Sequence, residues 1–143
     1  MSIILGQRSL SRLEGVHPDL VRVVKQAAAI SNLDFTVLEG LRTLERQRKL
    51  VAEGASRTMK SRHLTGHAVD LGVLIDGSVR WDWGLYLRLG GVMREASLAE
   101  GIPIRWGGTW KLLSAINGPI TAKILSRSFP DGPHFELQAA SYP

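Results

Sequence analysis

Ser61-Arg62-His63-Leu64-Thr65-Gly66-His67-Ala68-Val69-Asp70 sets two histidines and a carboxylate around a glycine. His63 and Asp70 stand seven apart, and on a helix they would share one face about two turns apart. Gly66 and the β-branched Thr65 and Val69 argue against a helix. The expected arrangement is a loop carrying His63, a fold-back at Gly66, and a strand over Ala68 to Ile75 that brings Asp70 to the edge of an apolar run. A carboxylate at such an edge needs a cation or several donors.

A second segment, Asp131-Gly132-Pro133-His134-Phe135-Glu136-Leu137, supplies the complement. Pro133 fixes the backbone before His134, which is expected to open a last strand with Glu136 on its own face. His63, Asp70 and His134 then offer two imidazoles and one carboxylate. That is the ligand set of a hydrolytic zinc with one position left for water, although other divalent ions also accept it. Asp131 is left free to act as a base, and Glu136 is a candidate to support His134. His67 lies four residues after His63, the spacing of helical zinc motifs, but position 64 is Leu and Gly66 weakens such a helix. It is expected to be accessory. His17, in Val-His-Pro, is expected to be structural.

The rest of the chain reads as a small α+β domain with a mainly antiparallel sheet flanked by helices. Helices are expected over residues 18 to 31, from Thr43 to Glu53 and from Trp83 to Glu100, with Gly90-Gly91 weakening the last. Further strands are expected over Asp34 to Glu39, Ser78 to Trp81 after an Asp76-Gly77 turn, and Ile102 to Trp106. With 143 residues, no repeat and no Pro/Ser-rich linker, one domain over 1–143 with no separate binding module is expected.

The chain has no cysteine, which removes disulfides and thiolate metal sites. The N-terminus has too short an apolar run for a signal peptide, and no segment approaches the roughly 20 apolar residues that span a bilayer. A product made in the cytoplasm, without membrane insertion and monomeric, is expected. The net charge of +5 arises between Arg42 and Arg62, where seven basic residues face two acidic ones. Such a patch attracts anionic polymers. No helix-turn-helix, RRM or OB signature accompanies it, so an anionic cell envelope is a better partner than nucleic acid.

Ser61-x-His63-x-x-Gly66-x-Ala68-x-Asp70 followed by Asp131-x-x-His134-Phe135 resembles the zinc peptidases of the D-alanyl-D-alanine carboxypeptidase type. Within them it looks most like the L-alanyl-D-glutamate endopeptidases that phages and prophages use as endolysins. Gly40-Leu41-Arg42-Thr43, Gly54-Ala55-Ser56 and Trp106-Gly107-Gly108-Thr109-Trp110 extend the resemblance to about residues 15 to 138. Here about twenty residues, Lys111 to Pro130, separate the last two motifs; they are expected to form a helix or a lid.

The resemblance implies the fold of the DD-peptidases and hedgehog proteins, one Zn2+ on His63, Asp70 and His134, and Asp131 as general base. It makes Arg42 a candidate to stabilise the oxyanion or hold a substrate carboxylate, and Ser61 and Trp106 candidates for substrate contact. It implies an endolysin cutting the L-alanyl-D-glutamate bond of peptidoglycan stem peptides, reaching the wall through a holin. The alternatives are a zinc D,D-carboxypeptidase or dipeptidase acting on D-Ala-D-Ala, and a non-catalytic wall-binding module.

Overall fold

The computed structural model describes residues 2–143. Its first element, α1 (Gln7–Arg12), has no counterpart among the sequence expectations. It covers a sheet edge: the Val37 N–H donates to the Ser9 hydroxyl at 2.9 Å, and Arg12 Nη1 donates to the Val37 carbonyl at 3.0 Å. These bonds occupy ladder groups that an edge strand otherwise leaves open.

α2 (Pro18–Ile30) follows, with Pro18 at its start and the His17 Nδ1 accepting the Asp19 N–H at 3.1 Å. His17 is thus a helix cap. β1 (Phe35–Glu39) and α3 (Leu44–Ala52) come next, and the Thr43 hydroxyl caps α3 by accepting the Arg46 N–H. A single 3₁₀ turn, Arg62–Thr65, leads into β2 (Ala68–Ile75). Asp76 and Gly77, both at positive φ, turn the chain into β3 (Ser78–Arg80). α4 (Trp83–Glu100), β4 (Ile104–Trp106), β5 (Lys111–Leu112) and β6 (His134–Leu137) complete the fold.

The strands form one sheet in the order β1-β2-β6-β4-β5, with β3 paired to β2, and every pairing is antiparallel. The expected α+β class holds. No helix among the described residues is long and apolar enough to cross a membrane.

Strand alternation divides the sheet's two faces. Val69, Leu71, Val73, Phe135, Leu137 and Ile104 enter the core, where α2 contributes Leu20, Val23 and Val24 and α4 contributes Leu89 and Met93. The intervening residues, Asp70, His134, Glu136 and Arg105, belong to the opposite face. Register then aligns them: Asp70 lies opposite His134, and Arg105 opposite Glu136. The polar face is the floor of the site.

Trp106 falls on the other side of this division. It is fully buried, donates its indole N–H to the Gly132 carbonyl at 2.8 Å and stacks on Phe135. The expectation that it contacts substrate is therefore corrected: the strand parity that buries Ile104 also buries Trp106. Gly90 makes room for it, since a Cβ there would stand 3.2 Å from the indole ring. Of the two glycines that weaken α4 on paper, Gly90 thus seats the largest core side chain against the helix, while a Cβ at Gly91 would meet nothing. Trp106→Ala should lower unfolding free energy by about 3–5 kcal/mol, measured by denaturant titration. Wild-type stability with lost activity would return Trp106 to the site.

The tract from Lys111 to Pro130 is neither a helix nor a free lid. After β5 it forms two single 3₁₀ turns, Leu113–Ala115 and Ala122–Ile124, and then a loop. The loop is fastened down by the Ser126 N–H to the Gly108 carbonyl at 2.8 Å and by Trp110 Nε1 to the Phe129 carbonyl at 2.9 Å.

Candidate metal site and cleft

Ligating atoms of His63, Asp70 and His134 all lie within 4.8 Å of one another. His63 sits on the 3₁₀ turn, whose N-cap is Ser61; the Ser61 hydroxyl accepts the His63 N–H at 3.2 Å. The His63 Nδ1 lies 2.9 Å from the Gly40 carbonyl. A carbonyl can only accept, so Nδ1 carries the proton and Nε2 is turned toward Asp70 Oδ1, 3.2 Å away. His134 is fixed the same way with its nitrogens exchanged. Its Nε2 donates to Glu136 Oε1 at 2.8 Å, and Nδ1 faces Asp70 Oδ1 at 3.3 Å. Each imidazole thus has one nitrogen anchored to an acceptor and the other aimed at a shared point, the usual outer support of a metal-binding histidine. Two imidazoles and a carboxylate, oriented in this way, fit a divalent cation.

Burial opposes the charge of Asp70, but hydrogen bonds from His134 and His63 outweigh it and hold the carboxyl far below the usual range. Burial likewise opposes charge on His134, yet its bonds to Asp70 and Glu136 raise it to about 9. Asp131 behaves differently: burial first, then the nearby Asp70 charge, push its carboxyl up. The turn that carries Asp131 is held by backbone, with its N–H on the Gly107 carbonyl at 2.9 Å. Gly107 is required there because a side chain would collide with the Asp131 carbonyl. Of the Gly-Gly pair after Trp106, Gly107 therefore serves the close approach of two chain segments, and Gly108 leaves room for the Trp106 indole.

These groups open into a cleft of about 520 Å³. Arg42 is buried at its floor with its donors engaged by the protein. Nε and Nη2 grip the Glu39 carboxylate at 2.7 and 3.0 Å, and Nη1 reaches Gln47 Oε1 at 2.8 Å and the Ser61 hydroxyl at 3.4 Å. Nη2 also lies 3.6 Å from Asp70 Oδ2. This arrangement braces Asp70 and commits most of the guanidinium's donors to the protein, with Arg42 still lining the cleft. The expected basic patch is also divided. Arg62 turns inward, donating to the Leu137 and Tyr142 carbonyls at 3.2 and 2.6 Å. Arg57 and Lys60 line the cleft, and Arg57 lies over the Phe129 ring at 4.2 Å.

His67 stands outside the ligand group. Its Nδ1 pairs with the Thr65 hydroxyl at 2.6 Å, and its ring lies beside His17 at 5.7 Å. Several cleft residues escaped the sequence reading. Trp110 lines the cleft beside His134, with ring centroids 5.4 Å apart, and Arg105 lies over its indole while pairing with Glu136. Alternation along β4 was the available signal: Arg105, between two apolar residues, had to emerge on the polar face.

Fold and donor set together define a small α+β protein whose cleft can hold one metal ion beside a free carboxylate. Residues 1–138 match the family model described as phage L-alanyl-D-glutamate peptidase, and the chain belongs to that family. It is 31% identical over 141 residues to the L-alanyl-D-glutamate peptidase of Escherichia phage T5, covering 96% of this chain and 99% of that one. It is 30% identical over 112 residues to the enzyme of the same name from Listeria phage A118, covering 78% of this chain and 33% of that protein. Among solved structures it is similar to the Serratia marcescens L-Ala D-Glu endopeptidase ChiX, with a TM-score of 0.80 and 42% identity over 96% of this chain and 91% of that one.

Proposed function

We propose that this chain is a zinc-dependent endopeptidase that hydrolyses the L-alanyl-D-glutamate bond of peptidoglycan stem peptides, serving as the lytic enzyme of a phage or prophage. The observation that carries the reading is the convergence of His63 Nε2, Asp70 and His134 Nδ1 on one point of a cleft that Asp131 also lines. These three residues would hold a zinc ion, which when bound would supply Lewis acidity for water near neutral pH and for the scissile carbonyl.

Asp131 is the general base. Its carboxylate accepts a proton from the attacking water and returns it to the amine nitrogen of the departing D-glutamate. The upward push on its carboxyl from burial and Asp70 suits a group that must both take and release a proton. Arg42 is a positioning residue, bracing Asp70 and, through Ser61, the turn that carries His63. Arg57, Lys60 and Arg105 give the cleft a cationic lining complementary to the carboxylates of a stem peptide. Residues 1–143 act as one catalytic domain.

Metal removal tests the reading. Chelation to below detectable zinc should abolish peptidoglycan hydrolysis, and one equivalent of zinc should restore it. Undiminished hydrolysis by metal-free protein would contradict the role assigned to the three ligands.

A further inference from the structure

A second cavity, about 260 Å³, backs onto the Asp131 turn, and Asp131 lines both it and the main cleft. Its other walls are Trp81, Trp83, Tyr86, Gly132 and two prolines, Pro130 and Pro133. Trp81 is 61% exposed and Trp83 39% exposed. Two indoles left open to water around one hollow are not explained by core packing, and such patches commonly mark binding sites.

The platform is also rigid. Trp81 stacks on Tyr86 with the rings 7° from parallel and 5.9 Å apart. The Tyr86 hydroxyl is itself locked, donating to the Arg80 carbonyl at 2.6 Å and accepting the Val73 N–H at 3.1 Å. Trp83 and Tyr86 press against the Asp131 turn at Gly132, where a Cβ would stand 3.0 Å from each. Aromatic floor and catalytic turn are therefore one packed unit.

We propose that this cavity is a sugar subsite, taking the N-acetylated hexosamine of the glycan strand to which the stem peptide is attached. The inference rests on the proposed cleavage of the L-alanyl-D-glutamate bond. On the amino side of that bond stands one alanine, which spans about 3.5 Å fully extended, and then the lactyl ether of the muramic acid ring. The sugar must consequently lie within a short reach of the scissile carbonyl, and so next to Asp131.

Charge sorts the two directions away from the bond. The peptide beyond D-glutamate carries carboxylates, and Arg57, Lys60 and Arg105 line the main cleft. The second cavity has no cationic lining, and its only charged wall residue is Asp131. An uncharged pyranose suits it, because the apolar C–H face of a sugar lies flat on an indole while its hydroxyls stay wet, the amphipathic contact that tryptophan favours. The cavity is smaller than the range of about 300–1,000 Å³ that takes drug-sized ligands, as fits a single ring.

The test compares kcat/KM on two substrates: a stem peptide joined to its N-acetylglucosamine–N-acetylmuramic acid disaccharide, and the same peptide without sugar. Wild type should prefer the glycosylated substrate at least about tenfold, a difference of about 1.4 kcal/mol. Trp81→Ala should bring the ratio close to one, and Trp81→Phe should keep most of it. In parallel, the disaccharide without peptide should quench wild-type tryptophan fluorescence saturably. Equal turnover of both substrates by wild type would overturn the subsite while leaving the endopeptidase standing. So would a Trp81→Ala variant that keeps the preference, or a lack of saturable quenching. Wild type that cleaves neither substrate would overturn the endopeptidase and the subsite with it.

Discussion

Asp131→Ala should lower turnover of peptidoglycan by about 10²–10⁴-fold, the contribution of a positioned acid–base group, with zinc content and fold unchanged. The separation of effects follows from how the residue is held. The turn around Asp131 is fixed by main-chain bonds, its N–H to Gly107 and the His134 N–H to its own carbonyl at 3.3 Å, and by the packing of Gly132 on Trp83 and Tyr86. Removing the carboxylate leaves all of these in place. It also relieves a half-buried group whose charge is opposed by burial and by Asp70, so the variant should unfold no more readily than wild type. Stoichiometric zinc with near wild-type turnover would remove Asp131 from the chemistry.

His134→Ala should lose metal and activity together. The imidazole sits between two carboxylates, Asp70 at 3.3 Å and Glu136 at 2.8 Å. Its loss removes a ligand and also leaves Glu136, itself buried, without its main partner. Burial opposes the charge of Glu136, which the hydrogen bond from His134 holds below its ordinary range. The expected defect in zinc affinity therefore exceeds that of Glu136→Gln, which keeps the ligand but weakens its anchor and should cost about 10–100-fold. His67→Gln should leave zinc affinity unchanged, because that ring pairs with Thr65 and lies beside His17. Zinc titration of the three variants gives this order. A His67 variant that loses zinc, or a His134 variant that retains it at full affinity, would break the ligand assignment.

Much of this site was legible before the fold. The strands bearing Asp70 and His134 read correctly because alternation of apolar and polar residues is a local signal. The pairing of the two motifs followed from chemistry, since two imidazoles and a carboxylate in a cysteine-free chain have few other uses. Glu136 was legible for the same reason, two residues after His134 on one strand face.

Other features were legible but misread. Trp106 was drawn to the substrate by its motif, although Ile104-Arg105-Trp106 already alternates and puts the indole with Ile104 in the core. For Arg42 the sequence offers a role toward an oxyanion or a substrate carboxylate, but not its two-pronged ion pair with Glu39, three residues earlier. Some features could not be read locally at all. α1 is six residues long and is held by contacts from Ser9 and Arg12 to a strand some 25 residues away, so no periodicity announces it. The wall formed by Phe129 depends on long-range bonds to Gly108 and Trp110. The bracing of Asp70 by Arg42, and the meeting of Arg57 with Phe129 across the cleft, exist only once the sheet has formed.

The most direct test of the proposed activity is mass spectrometry of the products when zinc-loaded protein digests purified peptidoglycan. Stem peptides with a new N-terminal D-glutamate, released from glycan strands that keep L-alanine on their muramic acid, are the predicted result. Release of terminal D-alanine alone, with the L-alanyl-D-glutamate bond intact, would contradict it.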